Sequence, residues 1–181
     1  MKIIDLKLGG ALILEPLIYG DNRGFFMESY NKQLFERNGL HFTFIQDNHS
    51  LSAETGVLRG MHYQLHPKAQ TKLVRVLSGA IYDVILDIRK SSPTFGKWVG
   101  VILSEDNKRQ LLVPRGFAHG FCTLVPNTQV MYKVDESYSP ENDRGILWSD
   151  SSLNIDWPVS KPILSDKDQR HPLLKDAEIY E

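Results

Sequence analysis

Cysteine is almost absent from this chain. Cys122 is the only one in 181 residues, so no intrachain disulfide can form, which fits a reducing compartment. It lies between Phe121 and Thr123 in an apolar run, where a buried structural thiol is the ordinary reading and a nucleophile the rarer one. Long apolar runs are missing too. The N-terminal stretch MKIIDLKLGGALILEPLIYG is broken by Asp5, Lys7 and Glu15. It has no signal-peptide core, and no later run is long enough to span a bilayer. Charge of one sign is not in excess: 22 Asp and Glu stand against 21 Lys and Arg. That excludes the bulk attraction that drives nucleic-acid or membrane-surface binding. There are no repeats, low-complexity tracts or linkers. The expectation is a soluble, cytoplasmic protein with residues 1–181 as one domain. A chain of this size buries roughly 70% of its unfolded surface, enough to hold a pocket without disulfides.

What is present is mostly strand signal. Lys72–Leu77 and Ala80–Ile88 flank Ser78-Gly79, which reads as a two-residue hairpin turn. In the second of these strands Tyr82, Val84, Leu86 and Ile88 share one face, and Ile81, Asp83, Ile85 and Asp87 the other. Trp98–Leu103 and Arg109–Val113 flank a polar turn, and His119–Val125 and Gln129–Asp135 flank Pro126-Asn127. Short, evenly spaced strands of this kind predict a mainly β protein, an antiparallel sandwich or jelly roll. Asn31–Asn38 is the best helix, with Asn31 as N-cap and Gly39 as the stop. The C-terminal third, with Pro158, Pro162 and Pro172, is irregular.

Two islands place polar groups inside strands. Val57–Gln64 carries Arg59, His62 and Gln64, with Lys72 shortly after, and Val113–Phe121 carries Arg115 and His119. Such groups are costly to bury without partners, so they belong either to a polar network or to a ligand cavity. Parity raises a difficulty, because in a regular strand Arg59 and His62 point to opposite sides. They share a pocket only if the strand is bulged, and Gly60 is the natural bulge position. His62 is a candidate base or a satisfied buried histidine. Lys72 is a candidate oxyanion partner or an ordinary strand-end lysine. Tyr132 shares a face with Val130 and Val134, so it reads as core or as a proton donor on a pocket wall. Asp168 reads as an exposed loop residue by composition. Arg23 stands beside Phe25 and Phe26, a set suited to a phosphate and a sugar or base face, or to a plain surface loop.

Pro114-x-Gly116-x-x-His119 has the form of the second cupin motif. The first motif, His-x-His with a nearby glutamate, is broken: the chain has His62-Tyr63-Gln64 and no glutamate until Glu105. A glutamine carbonyl is a poor ligand for the metals that favour imidazole, so the pattern points to the barrel and away from its metal. Together GDNRGFFMESY (20–30), QDNHS (46–50), VLRGMHYQ (57–64), QTKLVRVLSGAIYDVILDIRKSSPTFGKW (70–98), LLVPRGFAHGF (111–121), YSPENDRGILWSD (138–150) and LSDKD (164–168) resemble the dTDP-4-dehydrorhamnose 3,5-epimerases across nearly the whole chain. The resemblance implies a single cupin-like jelly-roll domain, a homodimer, no metal and no organic cofactor. It implies a dTDP-linked 4-keto-6-deoxyhexose as substrate, inverted at C3 and C5. By the same resemblance His62 is the base and Asp168 its partner, Lys72 the cation at the ketone, and Tyr132 the acid. Arg23, Glu28, Gln46, Asn48, Arg59, His119, Tyr138, Asp143 and Lys167 match substrate contacts. The family residue at 143 is usually glutamate, so Asp143 departs from the pattern.

Overall fold

The computed structural model describes residues 1–181. In chain order the strands begin with β1 (Lys2–Asp5), β2 (Leu12–Glu15), β3 (Ile18–Asp21), β4 (Gly24–Met27) and β5 (Gln46–Ser52). There follow β6 (Leu58–Gln64), β7 (Lys72–Ser78), β8 (Ala80–Asp87) and β9 (Trp98–Ser104). The series ends with β10 (Gln110–Val113), β11 (Phe117–Thr123), β12 (Thr128–Val134) and β13 (Asp143–Gly145). One sheet runs β1-β2-β10-β7-β12-β5, the facing one runs β13-β6-β11-β8-β9, and β3-β4 stands apart as a hairpin. Every strand pairing is antiparallel. The chain therefore alternates between the two sheets of a jelly roll.

That alternation corrects one expectation. Ser78-Gly79 does not close a hairpin, because β7 and β8 lie in different sheets. Gly79, at φ +80, turns the chain across the sandwich instead. A hairpin would have set β7 and β8 edge to edge. Here Val74 and Val76 of β7 meet Ile81 and Ile85 of β8 in the interior, together with Leu111, Phe117 and Phe121. The expected faces of β8 hold. Ile81 and Ile85 look inward, while Val84, Leu86 and Ile88 pack outward on Met61, Tyr63 and Ile146. Each fully buried side chain of this size contributes roughly 1.5–3 kcal/mol, so burial on both faces anchors β8 firmly.

The helix α1 (Lys32–Arg37) is capped as expected, with the Asn31 side chain accepting from the Leu34 amide at 3.1 Å. Its buried face is Phe35, which packs with Leu14, Leu73 and Leu112 on the outside of the larger sheet. The C-terminal region is irregular but tied down. The Tyr63 hydroxyl donates to the Glu178 carbonyl at 2.5 Å, and the Tyr180 hydroxyl donates to the Gln64 carbonyl. These contacts carry the chain across the outer face of β6 and deliver a 3₁₀ turn, Asp168–Arg170, to that strand.

The bulge expected at Gly60 is present. Opposite β11, His62 pairs with His119 and Arg59 with Phe121, so Gly60 and Met61 together face the single residue Gly120. The extra residue restores a common direction to Arg59 and His62. Gly60 has φ +122, and a Cβ there would lie 2.5 Å from the Gly120 Cα. Gly60→Ala is expected to destabilise the fold by more than about 1 kcal/mol, because the φ is wrong for an L side chain and the neighbour is backbone. Urea unfolding measures this; an unchanged midpoint would refute the strain.

Candidate active site

The inner faces of the two sheets bring polar side chains together from distant parts of the sequence. β6 supplies Arg59 and His62, β11 supplies His119, and β8 supplies Asp83. From the opposite sheet come Lys72 on β7 and Tyr132 on β12, with Asn48 of β5 directly beside Tyr132. The 3₁₀ turn brings Asp168 as its first residue.

His62 Nε2 lies 2.5 Å from Asp168 Oδ1. Asp168 is held in turn by Ser165, whose hydroxyl donates to Oδ2 at 2.8 Å and accepts from the Asp168 amide at 3.1 Å. Burial pushes the Asp168 carboxyl up, but contacts from His171, His62 and Ser165 outweigh it and hold the group well below the usual carboxylate range. An ionised carboxylate only accepts, so the Nε2 of a neutral His62 carries the proton and Nδ1 keeps its lone pair. Burial also pushes the His62 imidazole below its ordinary 6.5; Asp168 pulls it up, and Lys72 and His171 push it down. The net direction is downward. Desolvation thus outweighs the carboxylate, which on sequence grounds alone would raise the midpoint.

Lys72 forms no ion pair within 4 Å. Burial lowers its ammonium to about 8, against the pull of Asp143 and Asp83. Asp83 is fully buried and bonded to His119 Nε2 at 2.5 Å, with its second oxygen unpartnered. Tyr132 packs against the inner apolar cluster, and burial raises its hydroxyl while nearby Arg59 lowers it. Tyr132 thus packs as a core residue on the inner face of β12.

Around this centre the Arg59 guanidinium donates to the Ser52 hydroxyl at 3.2 Å and the Leu51 carbonyl at 3.3 Å. Asp143 accepts from the Tyr138 hydroxyl at 3.0 Å and from the Lys167 ammonium. Gln46 bonds Asn48 at 2.8 Å and accepts from the Tyr138 amide at 3.4 Å. Two expected residues lie elsewhere within one chain. Arg23 sits exposed on the β3–β4 hairpin, paired with Asp21 at 2.6 Å. Glu28 accepts from Asn31 and lines an apolar cavity of about 240 Å³ with Leu14, Leu17 and Phe35. That cavity contains none of the residues around His62. The sequence reading assigned no part to Asp83, Ser165 or His171. Asp83 carried a signal, a charge on an otherwise apolar strand face, whereas Ser165 and His171 carried none.

The donor set of a metal-binding cupin does not fit here. The Gln64 amide donates to the carbonyls of Lys68 at 2.6 Å and Ser137 at 3.2 Å, and its oxygen accepts from the Ser139 amide at 2.8 Å. Its polar atoms are committed to backbone, and the His119 Nε2 is committed to Asp83.

A neutral imidazole facing an ammonium can take a proton from carbon and leave the resulting enolate beside a positive charge. Fold and site together define a jelly-roll isomerase of carbon acids. Among known proteins, the family described as dTDP-4-dehydrorhamnose 3,5-epimerase matches residues 5–176, and the chain belongs to that family. It is 56% identical to the Shigella flexneri dTDP-4-dehydrorhamnose 3,5-epimerase over 181 residues, 99% of each chain. The crystal structure of the Bacillus anthracis enzyme, with TDP and PPi bound, superposes with a TM-score of 0.94 at 62% identity, covering 95% of this chain and 98% of that one. The Legionella pneumophila enzyme, solved with dTDP-4-keto-L-rhamnose, superposes with a TM-score of 0.92 at 48% identity, covering 96% and 93%.

The His62 imidazole is expected to titrate below 6.5 in the free protein, and Asp168→Asn to lower it further by removing the charge that pulls it up. Nitrogen-15 NMR of the ring reads both. A midpoint above 6.5 would mean that the carboxylate, not burial, dominates.

Proposed function

We propose that this chain inverts C3 and C5 of dTDP-4-dehydro-6-deoxy-D-glucose, giving dTDP-4-dehydro-L-rhamnose, through enolates formed by His62. The observation that carries this reading is the His62–Asp168 contact, which leaves the Nδ1 lone pair free on an imidazole that is neutral at pH 7. The C4 ketone acidifies the protons at C3 and C5, and removing either places negative charge on O4. Lys72 is the cation assigned to that oxygen. Tyr132, whose hydroxyl is held protonated by burial, is the acid. Inversion needs removal on one face and delivery on the other. His62 stands on β6 and Tyr132 on β12, in opposite sheets, so a ring held between them presents one face to each.

Arg59 suits a diphosphate, because a guanidinium matches its oxygens in pairs. His119, Gln46, Asn48, Tyr138, Asp143 and Lys167 complete the binding set. Asp143 is one methylene shorter than the usual glutamate, but it already meets Tyr138 and Lys167. Arg23 and Glu28 lie away from His62 within one chain and are assigned to this set from a second copy, in a homodimer. The β3–β4 hairpin that carries Arg23 exposes Tyr19, Phe25 and Phe26, an apolar surface for that copy to cover. The chemistry requires no cofactor. No helix is long and apolar enough to cross a membrane. The lone cysteine, buried and with its thiol pushed up to about 11, suits the cytoplasm.

The test is incubation with the keto sugar in deuterated water, followed by NMR at C3 and C5. His62→Asn is expected to lose exchange and inversion together, by about 10²–10⁴-fold. Tyr132→Phe is expected to keep exchange at C5 while losing most inversion there. Near-normal C5 inversion in Tyr132→Phe would return that residue to the core.

The pH profile of kcat/KM is expected to be a bell. The base must be neutral, so activity falls as pH drops through the His62 midpoint, below 6.5. The cation must be charged, so activity falls again as pH rises through about 8. Lys72→Arg should abolish the alkaline limb at reduced rate. A limb that survives in Lys72→Arg would assign it to another group.

A further inference from the structure

We infer that His62, Asp168 and His171 form a second binding site, for a divalent transition metal such as Zn²⁺, and that occupancy switches the enzyme off. His171 has no proton-transfer or substrate contact in the proposed reaction, though it helps hold Asp168 ionised. Its side chain is 8% exposed, and its Nε2 is buried without a directed hydrogen-bond partner. That nitrogen points at Asp168 Oδ1 from 3.4 Å. The ligand atoms of the three residues all lie within 4.8 Å of one another. Bonds of about 2.0–2.1 Å set tetrahedral ligand atoms about 3.3 Å apart. The His171–Asp168 edge already has that length, and the His62–Asp168 edge must open from its 2.5 Å hydrogen bond. Two imidazoles and a carboxylate are a donor set that zinc accepts, with a fourth position left for water. The Asp168 charge favours a cation, and Lys72 opposes it. His171 also borders an open recess with Tyr63, Asp143, Arg144, Lys167 and Arg170.

The chemical consequence follows from the ring. The metal takes the Nε2 position that the proton held in the His62–Asp168 contact. The imidazole stays neutral, so that proton reappears on Nδ1. The lone pair needed for abstraction is then gone. This inhibition rests on His62 being the base, whereas binding does not. The site differs from the cupin centre, since it uses neither Gln64 nor His119.

The experiment uses chelator-treated full-length protein. Buffered Zn²⁺ is expected to inhibit turnover reversibly, with EDTA restoring it. Co²⁺ is expected to give the intense visible absorption of tetrahedral coordination, read without substrate. His171→Phe keeps the ring that fills the space over Gly145 but removes the ligand. Whatever its own turnover, it should raise the half-inhibiting Zn²⁺ concentration by at least about tenfold, with the cobalt band lost. His171→Ala serves if the phenyl variant does not fold. Equal zinc sensitivity in both proteins, a cobalt band unchanged by the substitution, or activation by zinc would each overturn the site. If metal-free protein failed to turn over the sugar, the proposed reaction would fall, while the cobalt band would still decide the metal site.

Discussion

Arg59, His62, Lys72, Asp83 and His119 occupy the inner faces of a two-sheet sandwich, where strand interiors ordinarily carry valine and leucine. Keeping His62, Lys72, Asp83 and His119 partly or wholly out of water is the constraint on which the rest depends. It acts in three directions at once. Desolvation disfavours charge, so it lowers His62, lowers Lys72 and raises Tyr132. One physical cause thus produces a neutral base, a cation near its titration point and a phenol that holds its proton. The carboxylates stop the process from going further. Asp168, Asp83 and Asp143 each offset part of the cost, and without them the imidazoles and the ammonium would be stranded.

Rigidity comes from the apolar layers on either side of this polar interior. Ile81, Ile85 and Phe121 fill the space between the sheets, and Met61, Tyr63 and Leu86 close the outer face of the smaller one. The irregular C-terminal segment is held by Tyr63 and Tyr180 rather than by a ladder. It is this segment that sets Asp168 and His171 against His62. A segment that is irregular by composition is therefore part of the candidate site by contact. The β3–β4 hairpin is the counterexample, since it belongs to neither large sheet and keeps its aromatic residues exposed.

Much of this was legible in the residues. Alternation along β8 predicted which side chains share a face, the Asn31 cap located the helix, and Gly60 between Arg59 and His62 announced the bulge. The broken His-x-His pattern predicted that Gln64 would not act as a metal ligand, and its amide proved to be spent on backbone groups. The Ser78-Gly79 turn was misread, because a glycine turn looks the same whether the next strand joins the same sheet or crosses to the other.

The sequence by itself determined the central strands, which of their side chains share a face, the family and the chemistry available to each side chain, because those depend on residue type and local period. Only the tertiary structure decided that Asp168 meets His62, 106 positions earlier in the chain, that His171 stands beside it, and that His62 and Tyr132 lie in opposite sheets. It also decided the sign of the His62 shift. That sign is a contest between burial and a neighbouring charge, and neither quantity exists until the chain has folded.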